Sequence, residues 1–370
     1  MESPPKPIRV LQVVTQMHRA GLETMLMNYF RNIDRSQICF DFLTHRNGSF
    51  DYDDEIRTLG GKIYTVPSIT LGNFRKYLLE LKHFFASHNE YNIVHCHLDA
   101  LSTFALEAAQ KAGVRKRIAH SHNNGFEMNK KLPLRYISKQ FIPLYATDFW
   151  GCSNEAISFM FGRKFLSSSE VLINAIDIDN FTFSCDERNA IRDHLGINGK
   201  FVVGNVGRLC YQKNQSFLLD IFFEIKKRRP LSVLLIAGDG EDRKVLEDKS
   251  KFLGIDDSVI FMSNYENIGE FLSALDVFVF PSLFEGFGIA LLEAQASGLP
   301  CVASNVSVPE VRLSDNITFL DVDSPCEDWA EAVLSTQPRE ENLYSPLKGS
   351  IYDISIAAAK LQEKYISLLE

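Results

Sequence analysis

Short apolar runs alternate with longer amphipathic ones along almost the whole of this chain, and that alternation leaves few folds open. Ile8–Thr15, Phe40–Leu43, Ile63–Val66, Ile93–His97, Arg117–Ser121, Phe149–Cys152 and Val171–Ile173 read as strands. Between them Leu22–Asn32, Phe74–Ser87, Ser102–Ala112, Leu134–Thr147 and Ser153–Phe161 read as helices. Strands separated by helices pair in parallel, and a parallel sheet needs cover on both faces. Polar residues then accumulate from Asp177 to Arg188, and the pattern restarts. Strands are predicted at Phe201–Val206, Ser232–Ala237, Val259–Phe261, Val277–Phe280 and Cys301–Ala303. Helices are predicted at Asn214–Lys227, Asp242–Phe252, Ile268–Leu275, Gly288–Ser297 and Glu327–Ser335. The expectation is an α/β chain of two Rossmann-like parallel-sheet domains, residues 1–182 and 183–350. A final helix in 351–370 is expected to pack back on the first domain. Ligands of such folds bind at the C-terminal edges of the strands and between domains.

A length of 370 residues suits about two domains. The longest apolar run, Val233 to Ala237, is far too short to cross a membrane. Residues 1–7 carry no apolar core, so no signal peptide is expected. Seven cysteines, odd in number and with no C-x-x-C pair, read as reduced thiols of a cytoplasmic protein rather than a disulfide framework or zinc site. The net charge of −8 hides an asymmetry. Between Lys111 and Gln140 stand Lys111, Arg115, Lys116, Arg117, Lys130, Lys131, Arg135 and Lys139 against Glu127 alone. The rest of the chain is therefore strongly acidic, which disfavours nucleic acid as a partner. The local basic stretch is either a solvated face or a surface for an anionic partner.

The stretch Phe280–Ala294 holds the most chemistry. A buried strand ends at Pro281–Ser282, Glu285 follows in a glycine-rich turn, and a helix opens near Gly288 with Glu293 on it. Two carboxylates invite an acid/base reading of the kind glycoside hydrolysis uses. The plain alternative is that Glu285 favours a helix N-terminus and Glu293 lies on the surface. The loop Gly204–Gln215 places Arg208 and Lys213 just before a helix, a combination suited to phosphate; both could equally be solvated charges. Gly238-Asp239-Gly240-Glu241 reads as a tight turn in which Asp239 caps the next helix. Gly21, in the loop Thr15–Thr24, would admit close approach of a ligand. Neither G-x-G-x-x-G nor G-x-x-x-x-G-K-[ST] occurs. His95 and His97 share one face of a strand end, as do His120 and His122. They read as polar residues facing a cleft more readily than as a metal site, because no cysteine or carboxylate accompanies them at ligand spacing.

Together these segments resemble a family-4 retaining glycosyltransferase of the GT-B fold, over nearly the whole chain. The resemblance rests on E-x7-E at Glu285 and Glu293, on Gly207-Arg208 to Lys213-Asn214, and on Ala237–Gly240, Ala296–Pro300 and Ser304–Glu310. Asn28–Asp34 and Val94–His97 are similar to bacterial enzymes that build exopolysaccharide or capsule repeat units. Two segments depart from the family pattern: Ala20-Gly21 stands for Gly-Gly, and Ile173–Asp177 carries Ala175 where the family has glycine.

The resemblance implies a nucleoside diphosphate sugar, most simply a UDP-sugar, as donor. A lipid-linked or oligosaccharide acceptor is implied too, with no metal and no cofactor. Arg208 and Lys213 would hold the diphosphate. Gly207, Gly286, Phe287 and Gly288 would offer backbone contacts. Glu285 would bind hydroxyls of the transferred sugar and Glu293 those of the ribose. His120 would meet the donor sugar from the other domain. The basic stretch 111–140 would face anionic lipid on the inner side of the plasma membrane. A sugar-nucleotide epimerase of the same fold and a non-catalytic sugar-nucleotide-binding protein stay open beside this reading.

Overall fold

The computed structural model describes residues 6–70, 72–126, 131–263, 265, 267–306, 312–339, 345 and 347–370. The chain divides into two units, Met1–Ile176 with Ile351–Glu370, and Asp177–Ser350. The division falls at 176–177 rather than at 182.

The first unit is built on strands β1 (Ile8–Val13), β2 (Ile38–Thr44), β3 (Ile63–Thr65), β4 (Ile93–Cys96), β5 (Lys116–Ser121), β6 (Asp148–Gly151) and β7 (Glu170–Val171). They form one sheet in the order β3-β2-β1-β4-β5-β6-β7 with every pairing parallel. All seven residues of β2 are buried, as a sheet covered on both faces requires. On one face Leu11, Val13, Val94 and Ala119 pack with Tyr77, Leu81 and Phe85 of helix Phe74–Ser87 and with Leu106 of helix Ser102–Lys111. Each such large side chain contributes ~1.5–3 kcal/mol on full burial. The helix Ile354–Ser367 belongs to this unit and packs beside helix Gly21–Asn32. Its Tyr365 meets Phe40 edge to face at 5.9 Å and stacks on Trp150 at 5.7 Å. The chain returns where it left: Ile176 and Asp353 form a parallel bridge. Ile173 and Ala175 are pinned by Tyr29 and Asn28, whose side chains donate to their carbonyls at 2.6 and 3.2 Å.

The second unit carries β8 (Phe201–Val206), β9 (Ser232–Ala237), β10 (Val259–Met262), β11 (Val277–Phe280), β12 (Cys301–Ser304) and β13 (Ile317–Leu320). Their order is β10-β9-β8-β11-β12-β13, again parallel throughout. Val203, Leu234, Val279 and Val302 pack with Leu218, Phe222 and Trp329.

Four local features differ from the sequence reading. The stretch 134–147 is not one helix: Leu132–Ser138 and Ile142–Tyr145 are joined by a tighter turn, and Pro143, without an N–H, sits at the start of the second. The polar run near 185 is a helix, Cys185–Leu195, capped by Ser184 accepting from the Glu187 N–H. β13 is an edge strand, and only its first residue is buried. Asp239 does not cap the helix Arg243–Phe252; its carboxylate accepts from Gly240 N–H at 2.8 Å inside the turn. All seven cysteines are free thiols. Among the described residues no helix is long and apolar enough to cross a membrane.

Candidate functional site

In the second sheet β8 lies between β9 and β11. The chain moves outward from β8 through β9 to β10, then crosses back to β11 on the other side. The loops after β8 and β11 therefore lie side by side where the strand order reverses, which is where an open parallel sheet binds ligands. Arg208 and Lys213 lie in the first loop, and Glu285–Gly288 in the second.

These two loops are stitched together. Leu283 N–H donates to the Gln212 carbonyl at 2.8 Å, Gln212 Nε2 to that of Phe284 at 2.9 Å, and Asn214 Nδ2 to that of Pro281 at 3.2 Å. Beneath them Asn205 Nδ2 donates to the Val279 carbonyl at 2.8 Å. Asn214 is left-handed at φ 54, a conformation asparagine tolerates better than most residues. It closes the turn Tyr211–Lys213 and starts helix Gln215–Arg228. A third loop, after β9, presses on the first. Leu209 N–H donates to the Asp239 carbonyl at 2.9 Å. At Gly238, φ +142, an added Cβ would lie 2.0 Å from the Gly207 carbonyl oxygen, so only glycine lets the two backbones meet.

Both expected cations have carboxylate partners. Lys213 Nζ donates to Glu285 Oε1 at 2.6 Å and sits 5.0 Å from the centre of the Phe280 ring. Glu285 is only 4% exposed, so this is an enclosed pair rather than a solvated one. Arg208 donates to Glu241 at 2.9 Å, with both side chains more than half exposed. Glu241 was not read from sequence as part of the site. The adjacency of β8 and β9 brings it there, and the turn G-D-G-E directly after a strand was the available signal.

Gly286 and Phe287 are buried in the second loop. Gly288 precedes helix Ile289–Ala296 at φ +81, with its missing Cβ position 3.3 Å from the Phe280 ring. Glu293 stands on that helix and is 6% exposed. Burial pushes its carboxyl up to about 8, so at pH 7 it is protonated and can donate as well as accept. The two glutamates are therefore not an equivalent pair.

The remaining expected residues lie in the first unit. Its strand order reverses between β1 and β4. At the C-terminal ends of β4 and β5 the four histidines gather: the rings of His95 and His97 are 4.2 Å apart and those of His120 and His122 4.0 Å apart. His95 Nε2 meets His120 Nδ1 at 3.0 Å, and His97 Nδ1 meets His122 Nε2 at 2.8 Å. Gln12 from β1 meets His97 Nε2 through Oε1 at 2.8 Å and donates from Nε2 to Tyr365 Oη at 3.3 Å. Tyr365 Oη meets His95 Nδ1 at 2.7 Å. Burial holds all four rings well below the ordinary histidine range, so they are uncharged at neutral pH. His95, His97 and His120 could each turn a nitrogen toward one ion. However, both nitrogens of His95, both of His97 and Nδ1 of His120 are already in hydrogen bonds, so a metal would have to dismantle the network. The buried His120 Nε2 alone among these has no partner among the described residues.

Gly21 opens helix Gly21–Asn32 in an exposed position, and a Cβ there would touch nothing within 4 Å. The protein itself does not demand glycine at that place.

The basic stretch is not one surface. Lys111 pairs with Glu107, and Arg117 donates to the carbonyls of Tyr145 and Val114. Lys139 sits among the rings of Phe126, Tyr136 and Phe159. Arg115 and Lys116 stand at the start of β5, whereas Lys131 and Arg135 follow its far end. Glu127 and Lys130 lie outside the described residues, as does most of Ser304–Glu310.

A family model described as glycosyl transferases group 1 matches residues 187–340. A putative glycosyltransferase, EpsF, of Bacillus subtilis (strain 168) is 35% identical over 360 residues, 93% of each chain. The UDP-Gal:alpha-D-GlcNAc-diphosphoundecaprenol alpha-1,3-galactosyltransferase of Escherichia coli is 27% identical over 83% of this chain and 82% of its own. Among solved structures, Anabaena Alr3699/HepE in complex with UDP-glucose has a TM-score of 0.75 at 19% identity, covering 98% of this chain and 96% of that one.

Proposed function

This chain belongs to the group 1 glycosyl transferases, and we propose that it moves a sugar from a UDP-sugar to a lipid-linked saccharide in surface polysaccharide synthesis, with retention at the anomeric carbon and without a metal ion. The observation that carries this reading is the stitched pair of loops after β8 and β11. They bring Arg208, Lys213, Glu285 and a helix N-terminus to one strand edge. The E. coli relative named for a UDP-sugar donor and a diphosphoundecaprenol acceptor, and the similar fold solved with UDP-glucose, point the same way.

In this reading the donor's diphosphate takes Arg208 and Lys213 from their carboxylates. As the bond between sugar and phosphate breaks, the leaving oxygen gains charge, and fixed cations stabilise it without reorganising. Lys213 and Arg208 thus supply what a divalent ion supplies elsewhere. Glu285, freed from Lys213, accepts from sugar hydroxyls. Glu293, neutral and buried, hydrogen-bonds the ribose. Gly207, Gly286, Phe287 and Gly288 offer backbone groups to sugar and phosphate. Gly21 leaves room near the acceptor, and His120 contacts the donor sugar. Helices Leu132–Ser138 and Ile142–Tyr145, with Lys131, Arg135 and the exposed Tyr136, Ile137 and Leu144, rest on anionic lipid at the inner membrane face.

The test is release of UDP or GDP from a panel of nucleotide sugars, with and without a polyprenyl-diphosphate saccharide, in buffer and in excess EDTA. The reading expects UDP together with a lengthened acceptor, unaffected by EDTA and with the donor's anomeric configuration kept. An altered UDP-sugar with no acceptor consumed would mean epimerisation. Equal sedimentation with neutral and anionic vesicles would remove the lipid contact.

A further inference from the structure

We infer that Gln12, Tyr365 and His95 act as positioning residues that fix His120 as a neutral imidazole with its proton on Nε2, so that His120 serves as a hydrogen-bond donor and not as a base. The inference rests on the reading that His120 touches the donor sugar, and adds to it which atom carries the proton and what holds it there.

The protons around this set of contacts can be counted. Gln12 has one amide, with a donor end and an acceptor end. Its Nε2 donates to Tyr365 Oη, and its Oε1 faces His97 Nε2. Tyr365 Oη has one proton. Having accepted from Gln12, it directs that proton to its other neighbour, His95 Nδ1, at 2.7 Å. A neutral imidazole that accepts at Nδ1 carries its proton at Nε2. His95 Nε2 therefore donates to His120 Nδ1, and His120 in turn must carry its own proton on Nε2. On the other arm Gln12 Oε1 accepts from His97 Nε2. His97 Nδ1 is then an acceptor, and His122 donates to it from Nε2. Four rings share one tautomer because one amide points one way. Reversing that amide would move the proton to Nδ1 in all four and leave His120 Nε2 a bare lone pair.

The ends of the relay lie far apart in sequence. Gln12 is in β1, and Tyr365 in a helix reached only after the whole second unit. Tyr365 is held by stacking on Trp150 as well as by its hydroxyl. The ring would thus stay in place without the oxygen. Burial keeps the four histidines uncharged, which is what lets a tautomer be defined at neutral pH. The proton on His120 Nε2 is the one ring proton in the network with no acceptor among the described residues. It suits a ligand oxygen, from a hydroxyl or a phosphate.

The test is long-range proton–nitrogen NMR of the full chain labelled with 15N-histidine, assigned through single substitutions. Wild type should show His95, His97, His120 and His122 as neutral Nε2–H rings at pH 7 without any ligand. In Tyr365→Phe, His95 loses its donor and the Gln12 amide loses the hydroxyl that orients it, so the His95 and His120 signals should move toward a mixture of tautomers, and those of His97 and His122 should follow as far as the amide turns. The kcat of this variant, with the nucleotide sugar most active in the panel above, should fall ~5-fold with KM for that sugar nearly unchanged, as for loss of one hydrogen bond acting at a distance. Nδ1–H rings in wild type, or Tyr365→Phe with unaltered His120 signals, would overturn the relay. A fixed tautomer beside a His120→Asn enzyme of unaltered kcat would instead remove the role of His120, a different failure from the first.

Discussion

Lys213 and Arg208 stand in different surroundings, and their substitutions should fail differently. Arg208 and Glu241 are exposed, and such pairs contribute ~0–1 kcal/mol. Arg208→Ala should leave the urea midpoint almost unmoved while turnover falls ~10²–10³-fold, as for loss of one preorganised donor. Lys213 guards an enclosed carboxylate. Lys213→Ala leaves Glu285 buried without its counterion, a change that costs ~3–5 kcal/mol in the general case. Adding Glu285→Gln removes the stranded charge. The double variant should regain most of the stability of the single one and none of its turnover, read by urea denaturation and by UDP release. A double variant no more stable than Lys213→Ala would show that the pair is not enclosed in solution. At this scale the sequence was informative about residue types and less so about partners. Arg208, Lys213, Glu285 and Glu293 could be named from spacing, because each lies in a loop or helix that the strand pattern locates. Their ionic partners could not, because a partner is chosen by strand order. Glu241 reaches Arg208 only because β9 lies next to β8. The raised carboxyl of Glu293 likewise comes from what packs over it, which no local spacing records.

Among elements, the loops after β8 and β9 depend on one another through Gly238. Gly238→Ala places a Cβ against the Gly207 carbonyl in a backbone conformation that disfavours any side chain. The loop bearing Arg208 must shift, and we expect a loss of at least ~2 kcal/mol with turnover reduced beyond that. A Gly238→Ala enzyme of wild-type midpoint and turnover would mean that the loops do not touch as described. Elements with strong periodicity were legible: every strand from β1 to β12 was placed from the sequence within a few residues. Three elements went unread, each for a physical reason; helix Asp53–Thr58 is only six residues long and buries only Asp53 and Ile56, too little for a helical period to show. β13 is short and half exposed at a sheet edge, so it carries little apolar signal. Helix Cys185–Leu195 is polar on most faces and buries only Ile191 and Arg192, so its sequence shows as an accumulation of polar residues rather than as a helix. Its S-x-x-E cap, Ser184 to Glu187, was the sign that could have marked it.

For the whole molecule, the pH dependence of stability follows from which buried groups are neutral. His45, His95, His97, His120 and His122 are all held below the ordinary range by burial, His45 at about 4 and His122 at about 3. The unfolded chain protonates them near pH ~6.5. Their contribution is therefore complete above that value and is lost as the pH falls below it. Glu23 and Glu293, raised to about 7 and about 8, act in the opposite sense, since the folded chain holds their protons first. With five histidines against two glutamates, stability should fall by as much as ~4 kcal/mol per pH unit between pH 6 and 5. Urea midpoints at pH 7.0 and 5.5 check this; an equal or higher midpoint at 5.5 would contradict it. None of this was visible in sequence. The sequence offers the two histidine pairs only as polar strand-end residues facing a cleft, and the ties that bury them into one network run through Gln12 and Tyr365.

The bridge between Ile176 and Asp353 also orders the chain in time. The second unit is contiguous, Asp177–Ser350, and all of its strands can pair as soon as it has left the ribosome. The first unit is interrupted, and its Tyr365 is made only after the second unit is complete. Nascent domains ordinarily finish in the order in which they are synthesised. Here the earlier-made unit finishes last, and until then β1, β4 and β5 carry Gln12 and the histidines with their contacts to Tyr365 unmade.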